Sequence, residues 1–359
     1  MLADYFAILG NPDALRILMA TFLHTVLVSA VLVVALPAQA PLAAKAFFPN
    51  DYRHIAFVDL AAMRTRGIWE ELEGSVLKLM FSQIEKEAGF ALRALDRVTM
   101  VGDLREGASD DRREGTQVRV LEGNAPLGVP ESVQQLWSKE TLGTYEVRRR
   151  SRGSSDELFV SPRPEVQVYG SMRLVEPPLL GKPSAGTPCP DVMSLLSGRN
   201  DQLAYGVFDV SGELLQKNVL AKLFPDTTWP AGEAPSFMCL RLLATGDADD
   251  PHLSVEAVLR HGKEGPGMDA SSKAFDELLA RLVAMPQLRS LKPVWKRVEA
   301  KRHGADLIYV TDLGRVRDAV GHVAMLGGLL FGTAVEATPT AAPAPAAPVA
   351  PAPPVAPKK

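Results

Sequence analysis

The sequence predicts an α+β fold: two similar lobes of antiparallel sheet with helices packed on one face, preceded by one hydrophobic N-terminal helix. The main observation is a repeat. A basic strand, a glycine-containing turn and an apolar strand occur at Tyr145–Val160 and again at Trp295–Val310. Strands follow one another without intervening helices, as in antiparallel hairpins and unlike a doubly wound parallel fold. The upstream segments also correspond, Val98–Gly107 with Leu240–Asp250 and Thr116–Gly123 with Leu253–Gly262.

Ile17–Leu36 is an uncharged apolar run, long enough to cross a bilayer as a helix. Small-residue patterns typical of signal-peptidase sites follow at Ala38–Ala40 and Ala44–Ala46, and Pro41 disfavours the first. The sequence therefore predicts export, by a cleaved signal peptide or a retained anchor. The expected location is extracytoplasmic, periplasmic or anchored in the inner membrane, with the membrane as partner through residues 17–36 if they are uncleaved.

Composition divides the rest of the chain. Pro177–Pro190 is rich in proline and glycine, which predicts a linker, and Glu336–Lys359 is almost all alanine and proline, which predicts a disordered tail. The predicted segments are 1–16, an N-terminal flank; 17–46, signal peptide or anchor; 47–176, the first lobe; 177–201, the inter-lobe linker; 202–335, the second lobe; and 336–359, the tail.

In the first lobe, Arg66–Leu95 carries apolar residues at steps of three or four, which predicts one long amphipathic helix. The charged segment Glu106–Gly115 is predicted to be a hairpin loop. The other expected elements are strands at His54–Leu60, Arg97–Asp103 and Thr116–Glu122, a helix around Pro130–Lys139, the basic hairpin, and a strand at Val166–Tyr169.

In the second lobe, the apolar residues of Asp269–Ala284 share one helical face, which predicts an amphipathic helix. The other expected elements are strands within Leu203–Val210, Ser236–Thr245, His252–Arg260, Trp295–Lys301 and Leu307–Val310, a helix over Gly212–Phe224, and a final helix after Asp312.

Aspartates recur at predicted strand-to-helix junctions, at Asp59, Asp209 and Asp312. An aspartate there can accept hydrogen bonds from the first turn of a helix and complement its dipole. Catalytic or metal-binding carboxylates are the alternative, but equivalent positions in different lobes would hold them apart. The sequence therefore favours capping.

No motif assigns a reaction, so no catalytic, cofactor-binding or metal-binding residues, and no cofactor, are predicted. Ser75–Lys78 has the SxxK spacing of penicillin-recognising enzymes, but its usual partner motifs are absent. His261–Gly267 is glycine-rich, and is predicted to be a strand-to-helix loop and not an anion-binding site. A net charge of −3 and an aromatic content of 6% argue against a nucleic-acid partner. They leave protein and lipid partners open.

Two basic clusters are candidate sites for an anionic partner, such as lipid headgroups or an envelope polymer. Solvated strands balanced by nearby carboxylates are the alternative interpretation. The candidate residues are Arg148, Arg149, Arg150 and Arg152 in the first cluster, and Lys296, Arg297, Lys301 and Arg302 in the second.

The chain has two cysteines, Cys189 and Cys239. In an oxidising compartment they are a candidate disulfide that would close a loop of about 50 residues. Two free thiols, one in a loop and one in a core strand, are the alternative.

His54–Leu330 resembles a class of uncharacterised exported bacterial proteins with a duplicated α+β ectodomain. The resemblance rests on FPNDYRHIAFVDL, LDRVTMVGD and SSKAFDELLARL, and it implies no catalytic residues. The expected function is that of a non-enzymatic envelope protein, a binding or scaffold module with an envelope protein partner. The alternatives are a hydrolase-like enzyme with a dispersed active site, and an accessory subunit of a membrane complex.

Overall fold

Twelve strands form one sheet in the computed structural model, which describes residues 44–320 except position 76, segments 104–115, 153–154, 198–200, 247–249 and 285–291, and most positions from 213 to 225. The strands are β1 His54–Asp59, β2 Leu95–Asp103, β3 Thr116–Gly123, β4 Ser138–Leu142, β5 Tyr145–Arg152, β6 Ser155–Arg163, β7 Val166–Ser171, β8 Gln202–Asp209, β9 Phe237–Thr245, β10 His252–Arg260, β11 Glu299–His303 and β12 Asp306–Arg315.

Short helices connect many of these strands. Two 3₁₀ turns lie at Ala44–Phe47 and Leu92–Ala94, and residues 316–320, after β12, are also helical. The remaining helices are α1 Leu60–Thr65, α2 Ile68–Gly74, α3 Leu77–Ala88, α4 Glu131–Leu136, α5 Met172–Leu179, α6 Pro190–Leu196, α7 Pro266–Ala284 and α8 Lys292–Trp295.

The sheet order is β11-β12-β10-β9-β8-β1-β2-β3-β7-β6-β5-β4, and every neighbouring pair is antiparallel. The predicted α+β class with an antiparallel sheet is confirmed. Strands from the two predicted lobes meet where β1 pairs with β8, with Ile55 opposite Val207. From this central pair, β2 and β3 extend to one side, and β9 and β10 to the other.

The two repeated hairpins predicted from the sequence are present as β5–β6 and β11–β12, but they occupy different places in the sheet. β12 pairs directly with β10, whereas β7 lies between β6 and β3. The hairpin in the first half that matches the position of β11–β12 is therefore β6–β7. The short strand β4, which we had not predicted, lies outside β5 at the edge.

Helices cover both faces of the sheet, so the prediction that they pack on one face is wrong. Because side chains alternate along a strand, Ile55 and Val58 of β1 point to opposite faces, which we call the back face and the front face. The back face packs with α5, α6 and the turn Ala44–Phe47. The front face packs with α1, α2, α3, α7 and α8. The strands are apolar on both sides, so both sides need cover.

The predicted helix Arg66–Leu95 is broken into α2, α3 and a 3₁₀ turn. Gly67 separates α1 from α2 in the left-handed conformation (φ 68°), and Ser75 ends α2 with extended backbone. The apolar stripe still packs as expected, because Trp69 is buried and stacks on Phe81 with ring centroids 5.2 Å apart. Leu95, predicted to be helical, begins β2.

The predicted inter-lobe linker is packed against the back face. It contains the end of α5, with Pro177 inside that helix, and all of α6. Between them the Tyr52 N–H donates to the Thr187 carbonyl (3.3 Å), and the Cys189 N–H donates to the Tyr52 carbonyl (3.0 Å). The other predicted strands and the helix at Asp269–Ala284 are present, within one to five residues of their expected bounds. The predicted loop Glu106–Gly115, the hydrophobic segment and the tail lie outside the described residues, as does most of Gly212–Phe224.

Candidate functional site

The first basic cluster lies on β5, and its side chains are divided between the two faces. Arg148 and Arg150 point to the front face, while Arg149, like buried Val147, points to the back face. Arg152 ends the strand, and its side chain is outside the described part of the structure. The strand therefore does not present its arginines as one patch.

Carboxylates on the neighbouring strands neutralise much of this charge. Arg149 pairs with Asp156 and lies 3.6 Å from a Glu140 oxygen. The Arg150 Nε donates to Glu157 at 2.9 Å. These contacts favour the interpretation of balanced, solvated strands, although they do not exclude a partner.

Arg150 also takes part in a stack of cations and aromatic rings that the sequence did not reveal. Its guanidinium lies 4.7 Å from the centroid of the Trp137 ring and donates to the Tyr169 hydroxyl at 3.2 Å. Arg119 covers the same tyrosine, 5.8 Å from its ring centroid. The four side chains come from separate elements, so no local motif could have indicated the stack. Its buried tryptophan and paired arginine suit it to holding α4 on the sheet.

The second basic cluster lies at the opposite end of the sheet. Lys301 and Arg302 are exposed on the edge strand β11, where they pair with Glu299 (2.8 Å) and Asp269 (2.7 Å). Lys296 and Arg297 precede this strand in an exposed turn after α8, and not in a strand as predicted.

The structure does not bring the two clusters together. Strands β5 and β11 are separated by nine other strands, or about 48 Å along the sheet at the usual strand spacing. One small ligand cannot contact both clusters. If these residues bind an anionic partner, they form two separate sites.

Both cysteines are buried in the core on the back face, and the structure records both as free thiols. Burial raises the pKa of the Cys239 thiol to about 12, so little thiolate forms at neutral pH. The candidate disulfide between Cys189 and Cys239 stays a prediction, to be tested chemically.

The first described residues form the turn Ala44–Phe47, which packs against the back face. Phe47 is 1% exposed, and Phe48 packs edge-on to Tyr52 in the same core. The Ser184 N–H donates to the Ala46 carbonyl at 3.1 Å. The second predicted signal-peptidase pattern is thus part of the folded domain.

Two arginines on the back face fix α6, and no local motif indicated this role. Arg241 and Glu256 stand opposite each other on β9 and β10 and form a buried ion pair. Arg241 also donates to the Leu195 carbonyl near the end of α6. Arg260 binds both oxygens of Asp306 at 2.8 Å and reaches Asp191 of α6 at 3.3 Å.

The loop His261–Gly267 connects β10 to α7, as predicted, and the Glu233 side chain binds to this loop. Glu233 pairs with Lys263 (2.9 Å) and accepts a hydrogen bond from the Gly267 N–H (2.9 Å), and these two contacts lower the pKa of Glu233. The buried His261 ring contacts the Glu233 carbonyl through Nδ1 (3.0 Å). A cavity of about 180 Å³ nearby is lined by charged groups of both signs, Glu264, Asp269 and Arg302.

The capping prediction is confirmed at Asp59, whose Oδ1 accepts from the Ala62 N–H at 2.9 Å at the start of α1. It is wrong at Asp312, which lies inside β12 and accepts from Gly314 at 2.8 Å. Asp209 accepts from Ser211 and pairs with Arg53 at 2.8 Å. The three aspartates therefore have local structural partners.

No family model and no curated protein matches the chain. Solved structures entitled crystal forms I, III and IV of TP0453 are 12%, 12% and 10% identical to it, with TM-scores of 0.42, 0.41 and 0.37. They cover 80%, 80% and 78% of this chain, which covers 98%, 99% and 95% of theirs. Likeness at this level assigns neither a family nor an activity.

Within the described ranges, three or more metal-ligating side chains do not cluster anywhere. None of the helices in those ranges is long and apolar enough to span a bilayer.

Proposed function

We propose that the protein is a non-enzymatic envelope protein, exported across the inner membrane and retained there by a helix over Ile17–Leu36. Its extracytoplasmic domain acts as a binding or scaffold module. The observation that carries this proposal is the burial of Ala46 and Phe47 in the back-face core, because it makes the segment after the hydrophobic run part of the fold.

Cleavage after Ala46 is unfavourable for the folded domain. It would create a charged ammonium group at Phe47, which is buried, and would remove the carbonyl that accepts from Ser184. Burying a charge or leaving a buried donor unpaired costs free energy. These considerations support a retained anchor over a signal peptide cleaved at the second predicted site.

The proposal includes a duplicated unit of two like lobes. The order β1-β2-β3 on one side of the sheet and β8-β9-β10 on the other supports it, as does a hairpin packed beyond each set. In this proposal β6–β7 corresponds to β11–β12, and β4–β5 is an addition to the first lobe.

The first test is fractionation of cells expressing the full chain with a tag after Lys359. We expect the protein in the membrane pellet after an alkaline carbonate wash, with an intact mass that includes Ile17–Leu36. A control chain lacking residues 17–36, directed to the periplasm by a cleavable signal peptide, should be released. Soluble protein whose intact mass shows that it begins near Phe47 would contradict the proposal.

The scaffold role is tested by cross-linking in intact cells, followed by purification through the same tag and mass spectrometry. A reproducible envelope protein or polymer partner is the expected result. A single stoichiometric protein would identify an accessory subunit of a membrane complex. If no partner is captured, the scaffold proposal fails, and substrate screening for a hydrolase-like enzyme becomes the next experiment.

A further inference from the structure

The point where the chain enters the domain forms one surface with the loop after α5. Gly186, with φ 62°, lies directly against the backbone of Lys45, and the Ser184 N–H bonds to the Ala46 carbonyl. The start of the described chain is therefore fixed beside residues 184–186, and α5, which Leu180 follows, packs against the same turn. We call the three exposed residues of these adjoining segments, Lys45, Leu180 and Lys182, the entry corner.

The entry corner combines a fixed apolar side chain with two exposed lysines. Leu180 is 48% exposed, one of three large apolar side chains so exposed among the described residues. Its backbone is held at the end of α5, since its N–H donates to the carbonyls of Glu176 (3.2 Å) and Pro177 (3.1 Å). The Lys182 N–H also donates to Pro177 (2.9 Å), so the turn that carries Leu180 and Lys182 is rigid.

The hydrophobic run keeps this corner close to the bilayer. Eight peptide steps join Leu36 to Ala44, and even fully extended they span at most about 28 Å. The sheet of 12 strands is about 53 Å across at the usual strand spacing. The surface around Ala44 is therefore the part of the domain that the anchor holds near the membrane.

We propose that the entry corner rests on the bilayer, with Leu180 inserted among the lipids and Lys45 and Lys182 beside anionic headgroups. This inference rests on the proposed function, because it requires Ile17–Leu36 to be retained. An apolar side chain flanked by lysines is suited to a membrane interface, where the lysines extend towards the headgroups and the leucine leaves water. The helices that cover the back face then lie towards the membrane, and the helices that cover the front face point away from it.

The test uses the full chain in vesicles of phosphatidylcholine and phosphatidylglycerol, with a fluorescent label on Leu180→Cys. The matched control is Leu136→Cys, since Leu136 is 72% exposed on α4, which packs on the front face of the same half of the sheet. The native cysteines are buried, and the unsubstituted chain serves as the labelling control. Brominated lipids should quench the label at position 180 and not at position 136.

A second variant, Lys45→Glu with Lys182→Glu, tests the contribution of charge. It should reduce quenching at position 180 while the protein still floats with the vesicles. If the protein floats but the labels at 180 and 136 are quenched equally, or neither is quenched, the inference is wrong and the anchor stands. If the unsubstituted chain does not float with vesicles, both the anchor and the inference fail.

Discussion

Replacing Arg241 by methionine should destabilise the domain more than any single substitution among the surface arginines. Arg241 is 6% exposed and its partner Glu256 is 2% exposed, so the pair is shielded from water. The change takes the guanidinium away from a buried carboxylate and also removes the donor to the Leu195 carbonyl. Removing one partner of a buried ion pair costs about 3–5 kcal/mol.

The double variant Arg241→Met, Glu256→Met should recover part of this loss. It no longer buries a carboxylate without its arginine, but the Leu195 carbonyl still lacks a donor, which costs about 1–3 kcal/mol. The double variant should therefore be about 2 kcal/mol more stable than Arg241→Met alone. Arg149→Met is a matched control, because Arg149 is half-exposed in its pair with Asp156. It should destabilise the domain much less than Arg241→Met, because water screens an exposed ion pair.

Urea unfolding followed by tryptophan fluorescence measures these differences, with the unsubstituted chain as reference. Two results would refute the reasoning. One is a cost below about 1 kcal/mol for Arg241→Met. The other is a double variant no more stable than Arg241→Met, which would mean that the two side chains do not act as a pair.

Three further predictions concern buried groups. Gly267→Ala should lower the unfolding midpoint, because a Cβ at position 267 would overlap the Glu233 carbonyl oxygen and come within 2.6 Å of the Glu233 Cβ. The control Gly262→Ala should be neutral, because a Cβ at position 262 meets nothing within 4 Å. Burial lowers the pKa of His261, so the neutral ring contributes its full stability above the unfolded pKa of about 6.5. This contribution is lost as pH falls towards the folded pKa. The difference in stability between the unsubstituted chain and His261→Gln should therefore shrink or reverse below a pH of about 6.5. Cys189 and Cys239 should both be alkylated when the protein is unfolded without reductant, and neither should be alkylated in the folded protein. Mass spectra that show no alkylation of the unfolded protein would establish the disulfide.

Local patterns predicted most of the strands. The repeated hairpins, the loop before α7 and the cap at Asp59 follow from turn glycines, alternation and capping chemistry within a few residues. One long helix was wrongly expected over Arg66–Leu95, because its apolar spacing continues past Ser75, and spacing alone does not show that the backbone at Ser75 is extended.

Contacts between distant segments could not be predicted in this way. The pair Arg241–Glu256 depends on the register of β9 and β10, and its bond to Leu195 crosses 46 residues. The stack around Trp137 and Tyr169 likewise needs β5, β7 and α4 in their folded places. The linker was misjudged because its prolines indicate irregular chain but do not show that the chain is packed.

The sheet order gives a physical reason for basic side chains at its edges that does not need a ligand. β11 is one edge of the sheet, and β4, next to the basic strand β5, is the other. An unpaired edge invites pairing with another chain, and charged side chains, lysine above all, discourage it. Lys301 and Arg302 lie on β11, and Lys139 lies on β4, all exposed. Exposed basic side chains therefore lie on both edge strands of a wide open sheet. A partner that binds there must overcome the same charges and their carboxylate pairs, whereas the proposed anchor would hold the entry corner and its exposed leucine at the membrane. We therefore favour the membrane as the partner of the entry corner over an anionic polymer as the partner of the sheet edges.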